Sequence, residues 1–186
     1  GEAAAQAMLA LRQEGFAPDL VIANPGWGEA LFVKDVWPRA RLVCLLEYFY
    51  HLEGGDVGFD PEFPPIGPLP GLRLRTKNLA LLDAMNTMDL GVVPTRWQRS
   101  RLPAAFQPRL VEIFEGIDTD TVRPDPGASW VLPDGTTVRV GDPVVTFVSR
   151  NLEPYRGYHV FMRALPSLLQ RCPEARVLVV GADGVS

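Results

Sequence analysis

The chain has 186 residues, of which 47% are hydrophobic and 22% charged, with a formal net charge of −4. That is enough apolar material for a folded core in one or two domains. The charge balance excludes a general basic field for nucleic acid, and no apolar run approaches the length of a membrane span. Cys44 lies inside the apolar run Leu42 to Leu46, and Cys172 falls near a helix end. Neither has metal-ligand spacing and the pair does not read as a disulfide framework, which fits a reducing cytoplasm. Gly1 to Gly15 lacks the basic start and cleavage pattern of a signal peptide.

Ala3 to Glu14 is alanine-rich and reads as a helix stopped by Gly15. Asp19 to Ala23 is a short buried-type strand, and Asn24-Pro25-Gly26-Trp27-Gly28 is a loop. Glu29 to Val36 predicts a short helix that Trp37-Pro38 ends, and Arg41 to Leu46 a second strand. This strand, loop, helix, strand rhythm predicts parallel α/β architecture. Glu53 to Gly71 is dense in Gly, Pro and Asp and reads as a long surface excursion. Its acids Asp56, Asp60 and Glu62 have no ligand spacing that defines a metal site, so a solvated acidic loop is expected.

Leu72 to Met88 has helical spacing, with Leu74, Leu81, Leu82, Met85 and Met88 on one side. Gly91 to Val93 and Leu110 to Phe114 are strands, and Thr95 with Gln98 has the spacing of a capping box between them. Val131 to Val140 brackets Pro133-Asp134-Gly135 and predicts a hairpin. Val144 to Val148 predicts a strand and Gly157 to Arg171 a helix that Pro166 should kink or interrupt. Arg176 to Val180 is the last strand. A lone β-α-β unit cannot bury both faces of its sheet. Two domains are therefore expected: residues 1–143, with linker and hairpin, and the start of a second domain over 144–186. Neither end of the chain reads like the end of a complete enzyme.

Ser149 to Gly157 is the loop with the most chemical promise. Arg150 falls at the carboxyl end of a strand and Arg156 just before a helix. Ligands of open α/β sheets gather at that edge, helix-start amides favour anions, and two guanidiniums can bind a diphosphate. Gly157 would let the backbone come close. From spacing alone, two surface arginines flanking a helix, with Glu153 as an ion-pair partner, are the favoured reading of the loop. Gly26, Trp27, Gly28 and Glu29 also sit at a strand-to-helix turn. There Trp27 either stacks on a sugar ring or packs the core. Glu47-Tyr48-Phe49-Tyr50-His51 follows the second strand. Glu47 is either a sugar-hydroxyl acceptor or a solvated carboxylate, and His51 reads more readily as an ordinary loop histidine than as a catalytic one.

The segment Val148 to Pro166, continued through Arg171 to Ser186, resembles the opening of the donor-binding domain of retaining GT-B glycosyltransferases of family 4. Glu115-Gly116-Ile117-Asp118 is similar to that family's turn into the second domain. Asn24 to Glu29, Phe59 to Phe63 and Pro94 to Gln98 look like a bacterial subgroup, in collinear order over nearly the whole chain. The resemblance implies two Rossmann-like domains and transfer of a sugar, with retention, from a nucleoside diphosphate sugar to a glycan or lipid-linked acceptor in bacterial glycan synthesis. It implies that Arg150 and Arg156, the latter where lysine is commoner, hold the diphosphate with Gly157. It puts Glu47 where relatives carry a histidine near the transferred sugar, and Gly26, Trp27, Gly28, Glu29 and His51 on the acceptor side. It implies no metal or other cofactor, a cytoplasmic enzyme that can touch the inner face of the membrane, and no turnover by these 186 residues alone. A non-catalytic nucleotide-sugar-binding scaffold remains open at this point. A nicotinamide-dependent oxidoreductase is disfavoured, because no Gly-rich fingerprint follows a visible strand.

Overall fold

The computed structural model describes residues 1–55, 57–64 and 67–184. It divides into two compact units, Gly1–Gly116 and Ile117–Ser186. The hairpin that sequence grouping attached to the first domain therefore falls within the second unit.

The first unit is Rossmann-like. Strands β1 (Leu20–Ala23), β2 (Arg41–Leu45), β3 (Leu90–Val93) and β4 (Leu110–Glu112) form one sheet in that order. Every neighbouring pair is parallel. Helix α1 (Glu2–Gln13) precedes β1, and α2 (Val33–Val36), α3 (Leu69–Thr87) and α4 (Arg96–Arg101) lie in the three connections. The core forms where the strand period meets the helix period. Leu42, Cys44 and Leu46 alternate inward from β2 and its end, and pack with Leu81, Ala84, Met85 and Met88 from the α3 segment. Burial pushes the Cys44 thiol up to about 11, so it behaves as a small apolar side chain.

Local chemistry sets the element ends. The Gly15 amide donates to the Arg12 carbonyl and the Phe16 amide to the Leu11 carbonyl, both at 3.0 Å. This Schellman arrangement places Gly15 at φ +90° and stops α1. Thr95 caps α4 by accepting from the Gln98 amide at 3.2 Å. The helix expected over Glu29 to Val36 is shorter: only Val33–Val36 is helical, after a 3₁₀ turn at Pro25–Trp27. At the amino-terminal edge of the sheet, Asp89 joins three elements. It accepts from Lys34 Nζ at 2.6 Å, from Arg41 Nη1 at 3.2 Å and from the Leu42 amide at 2.8 Å.

In the second unit, β5 (Ser129–Val131) and β6 (Thr137–Arg139) pair antiparallel. Gly135 at φ +83° makes the turn between them. Strands β7 (Val144–Asn151) and β8 (Arg176–Ala182) pair parallel around α5 (Tyr158–Arg171). Phe147 packs on Phe161 at 4.9 Å and on Tyr158 at 5.6 Å. Pro166 does not interrupt α5, which runs on to Arg171. Its ring removes only the amide that would have met the Met162 carbonyl.

Candidate functional site

A cleft of about 450 Å³ opens at the carboxyl edge of β1 and β2, lined by the loops after both strands and by one face of α3. Asn24, Gly26 and Trp27 form one wall, Glu47, Tyr48 and Tyr50 a second, and Thr76, Lys77, Ala80 and Leu81 the third. This is the edge at which parallel α/β sheets collect ligands. The Asn24 side chain accepts from the Gly26 amide at 3.0 Å, and Gly28 closes the turn at φ +85°. That turn leaves the Trp27 indole 83% exposed. The core-packing alternative for Trp27 is therefore excluded, and the ring is presented to solvent at the mouth of the cleft. Gly28 and Glu29 lie beside this turn and do not line the cleft.

Side-chain pins hold the Glu47 to His51 loop. Gln98 Nε2 donates to the Glu47 carbonyl at 2.7 Å, so the second residue of the capping signature reaches into the site loop. Asn78 Oδ1 accepts from the Tyr50 amide at 3.0 Å while Asn78 Nδ2 donates to the Tyr50 carbonyl at 2.8 Å. His51 Nε2 donates to the Arg101 carbonyl at 2.6 Å. His51 does not line the cleft, and this bond ties its loop to the end of α4. Tyr48 stacks near Trp97 at 6.3 Å and meets Tyr50 edge-on at 5.2 Å. Gly55 closes against the same loop, where a Cβ would stand 2.6 Å from the His51 carbonyl oxygen. Glu47 keeps its carboxylate exposed in the cleft. Asp60 accepts from the Glu62 amide at 2.9 Å, a local turn, while Asp56 lies outside the described residues.

The second unit holds the arginine loop. The pairing of β7 with β8 shifts register between Val148 and Asn151, an irregularity that re-aims the strand end at Arg150. Ser149 Oγ donates to the Asn151 carbonyl at 2.7 Å, and the Leu152 amide donates to the Ala182 carbonyl at 2.9 Å. Gly181 permits this crossing, since a Cβ there would stand 2.8 Å from the Ser149 carbonyl oxygen. Gly157 sits at φ +73°, ending a 3₁₀ turn at Pro154–Arg156 and opening α5. Arg156 Nε is 3.7 Å from Glu153 Oε1. The carboxylate is 5% exposed and the guanidinium side chain 44% exposed. A buried acid therefore steadies Arg156 without enclosing it.

The cleft residues Thr76 and Lys77, and Asn78 that pins the loop beside them, escaped the sequence reading. Periodicity along α3 marks its buried stripe, but only the strand order reveals which loop its other face meets. Asn78 had a visible signal: it is a polar residue within the apolar stripe Leu74, Leu81 and Met85, and it is 7% exposed.

A parallel sheet with its cleft at the carboxyl edge, followed by a β-α-β unit, is consistent with a Rossmann-like domain of a GT-B glycosyltransferase. The family model described as Glycosyl transferase family 4 group matches residues 1–122. The chain belongs to this family. It is 37% identical over 158 residues to a protein of Mycolicibacterium smegmatis named GDP-mannose-dependent alpha-(1-6)-phosphatidylinositol monomannoside mannosyltransferase. It is 31% identical over 158 residues to a protein of the same name from Mycobacterium tuberculosis. Each alignment covers 83% of this chain and 37% of the relative.

Proposed function

We propose that the full-length protein is a retaining bacterial glycosyltransferase. It moves a sugar from a nucleoside diphosphate sugar of the GDP-mannose class to a hydroxyl of a polyol- or sugar-headed lipid. In the reaction the bond between the anomeric carbon and the diphosphate oxygen breaks, and its electron pair leaves with the diphosphate. The acceptor oxygen forms the new bond and releases its proton. Arg150 and Arg156 stabilise the charge that develops on the diphosphate, and preorganised cations suit that task because their benefit grows as the bond breaks. Gly157 keeps the backbone low at the start of α5. The first-unit cleft takes the acceptor, with Trp27 stacking on a ring and Glu47 accepting from a ring hydroxyl.

Family membership over residues 1–122 is the observation that carries this reading. The names of the mycobacterial relatives supply the donor and acceptor classes. Among the described residues no helix is long and apolar enough to cross a membrane. The names of the relatives pair a nucleotide sugar with a phosphatidylinositol-based acceptor, and on that ground we place the enzyme in the cytoplasm, working on lipid at the inner face of the membrane. Because the chain spans 37% of the length of these relatives, the 186 residues alone are expected not to turn over substrate.

The test is transfer from radiolabelled GDP-mannose to phosphatidylinositol mannoside, with other sugar nucleotides as competitors. The double variant Arg150→Ala/Arg156→Ala should lose about 10²-fold or more of turnover. Its fold is checked by circular dichroism. Near-normal turnover in the folded variant rejects the arginine assignment, and binding of the sugar nucleotide without any transfer favours a scaffold over an enzyme.

A further inference from the structure

The acid beside the arginine loop stands where charge alone would not put it. A carboxylate repels a diphosphate, yet Glu153 is buried against Arg156. The local turn explains how the two meet. Pro154–Arg156 is a 3₁₀ turn, in which side chains three residues apart eclipse one another. The Arg156 amide donates to the Glu153 carbonyl at 3.0 Å, which closes the turn with both side chains on one side.

The acid approaches one edge of the guanidinium. Glu153 Oε1 lies 3.7 Å from Nε. No hydrogen bond engages Nη1 or Nη2, and Arg156 has no second acid partner, among the described residues. A guanidinium carries one N–H at Nε and two pairs at its end, in a fixed planar fork. An acid at the Nε edge therefore leaves the end fork to bind a phosphate bidentately. The side chain is 44% exposed, so a ligand can reach that fork. A long side chain already held at one edge also loses less freedom when it binds. A lysine cannot divide its charge in this way, because its single ammonium would serve either the acid or the phosphate.

We infer that Glu153 is a positioning residue for the nucleotide site, holding Arg156 by its Nε edge so that the end fork meets the diphosphate, and that its presence makes arginine obligatory at position 156. This rests on Arg156 binding the diphosphate. It adds the residue that orders the guanidinium before the ligand arrives.

Calorimetric titration of the full-length protein with GDP and with guanosine tests this. Two effects oppose one another in Glu153→Gln. Removing a negative charge tightens an anion, while releasing the Nε edge of Arg156 loosens it. The second should win: GDP affinity should fall about fivefold or more, with guanosine affinity unchanged. Arg156→Lys should lose about tenfold or more in GDP affinity. Part of that loss should return in Glu153→Gln/Arg156→Lys, where no acid competes for the ammonium. Arg156→Lys keeps the buried acid paired, so it carries the test even if Glu153→Gln does not fold. Unchanged or tighter GDP binding by Glu153→Gln, or unchanged binding by Arg156→Lys, overturns the inference and leaves the arginine assignment standing. So does a lysine loss that the second substitution fails to relieve. Losses of the same proportion for GDP and guanosine would make Glu153 a structural residue and also overturn it. Arg156→Ala with wild-type GDP affinity would remove the arginine assignment and the inference together. If wild-type protein binds no GDP at millimolar concentration, the donor class falls and the inference falls with it.

Discussion

Asn78 shows how one polar residue can set the shape of a site. It occupies the buried stripe of α3, where helical spacing calls for an apolar side chain, and asparagine is a poor residue for a helix interior. Its amide instead replaces a strand partner for Tyr50, satisfying the amide and the carbonyl together. Asn78→Ala strands both groups, and a part-buried loss of this kind costs about 1–3 kcal/mol. A lower melting temperature is the expected result, together with weaker acceptor binding at unchanged sugar-nucleotide affinity. Asn78→Asp should rescue little, since a carboxylate accepts from the Tyr50 amide but cannot donate to its carbonyl. Parallel thermal melts and titrations with each substrate decide this, and an equal loss of affinity for both substrates would argue for a global defect instead. Residue identity revealed Trp27 and Glu47 as candidates, because they stand at strand ends. It could not reveal Lys77, whose exposed helical face has no pattern of its own. For His51 the sequence left two readings, and its bond to the Arg101 carbonyl is of the kind that an ordinary loop histidine makes.

Elements were legible wherever local rules agree with one another. Gly15 stops α1 and Thr95 starts α4, both where turn and cap chemistry predict. The failures have local causes. Glu29 to Phe32, which follow the Asn24 to Gly28 turn, stay in turn conformation where a helix over Glu29 to Val36 was expected, leaving four helical residues in α2. Pro166 is accommodated because a single missing amide bond does not undo a helix of 14 residues. The join of α2, β2 and β3 at Asp89 was invisible, since its partners Lys34 and Arg41 lie 55 and 48 residues away in sequence. The bond from Lys34 foremost, and then that from the Leu42 amide, lowers Asp89 from 3.8 to about 2. A carboxylate whose pKa falls on folding stabilises the fold fully above its unfolded value and ceases to do so as pH drops through the folded value. Urea unfolding of wild type and Asp89→Asn should therefore differ by a constant margin from neutral pH down to about pH 5. The margin should then shrink as pH falls from 3.8 towards about 2. A margin independent of pH across that window would remove Asp89 from the acid response.

Burial is unevenly shared between the two units of the molecule, and the arginine loop sits on the thinner one. In the first unit Leu42, Cys44, Leu46, Met85 and Val93 are 0–1% exposed and form one contiguous core. In the second, Leu132 and Val138 of the hairpin are buried, while no apolar side chain of β7, α5 or β8 reaches that state among the described residues. Backbone pairing of β7 with β8 runs in register from Val144 to Val148, so its hydrogen bonds form without the apolar cover that makes opening costly. Protection against hydrogen exchange follows the free energy of opening, which tracks buried apolar contact. In the 186-residue chain, amides of β2 and β3 should exchange slowest, and those of β7 and β8 should exchange faster by about two orders of magnitude or more. Equal protection in both sheets would contradict this account. A ligand that binds only the folded form adds stability in proportion to the logarithm of its concentration over its dissociation constant. Saturating GDP-mannose should accordingly slow exchange across 149–157 and along β7, while leaving β2 and β3 as they were. Protection appearing instead along the Glu47 to His51 loop would move the nucleotide to the first unit and exchange the roles assigned to the two sites.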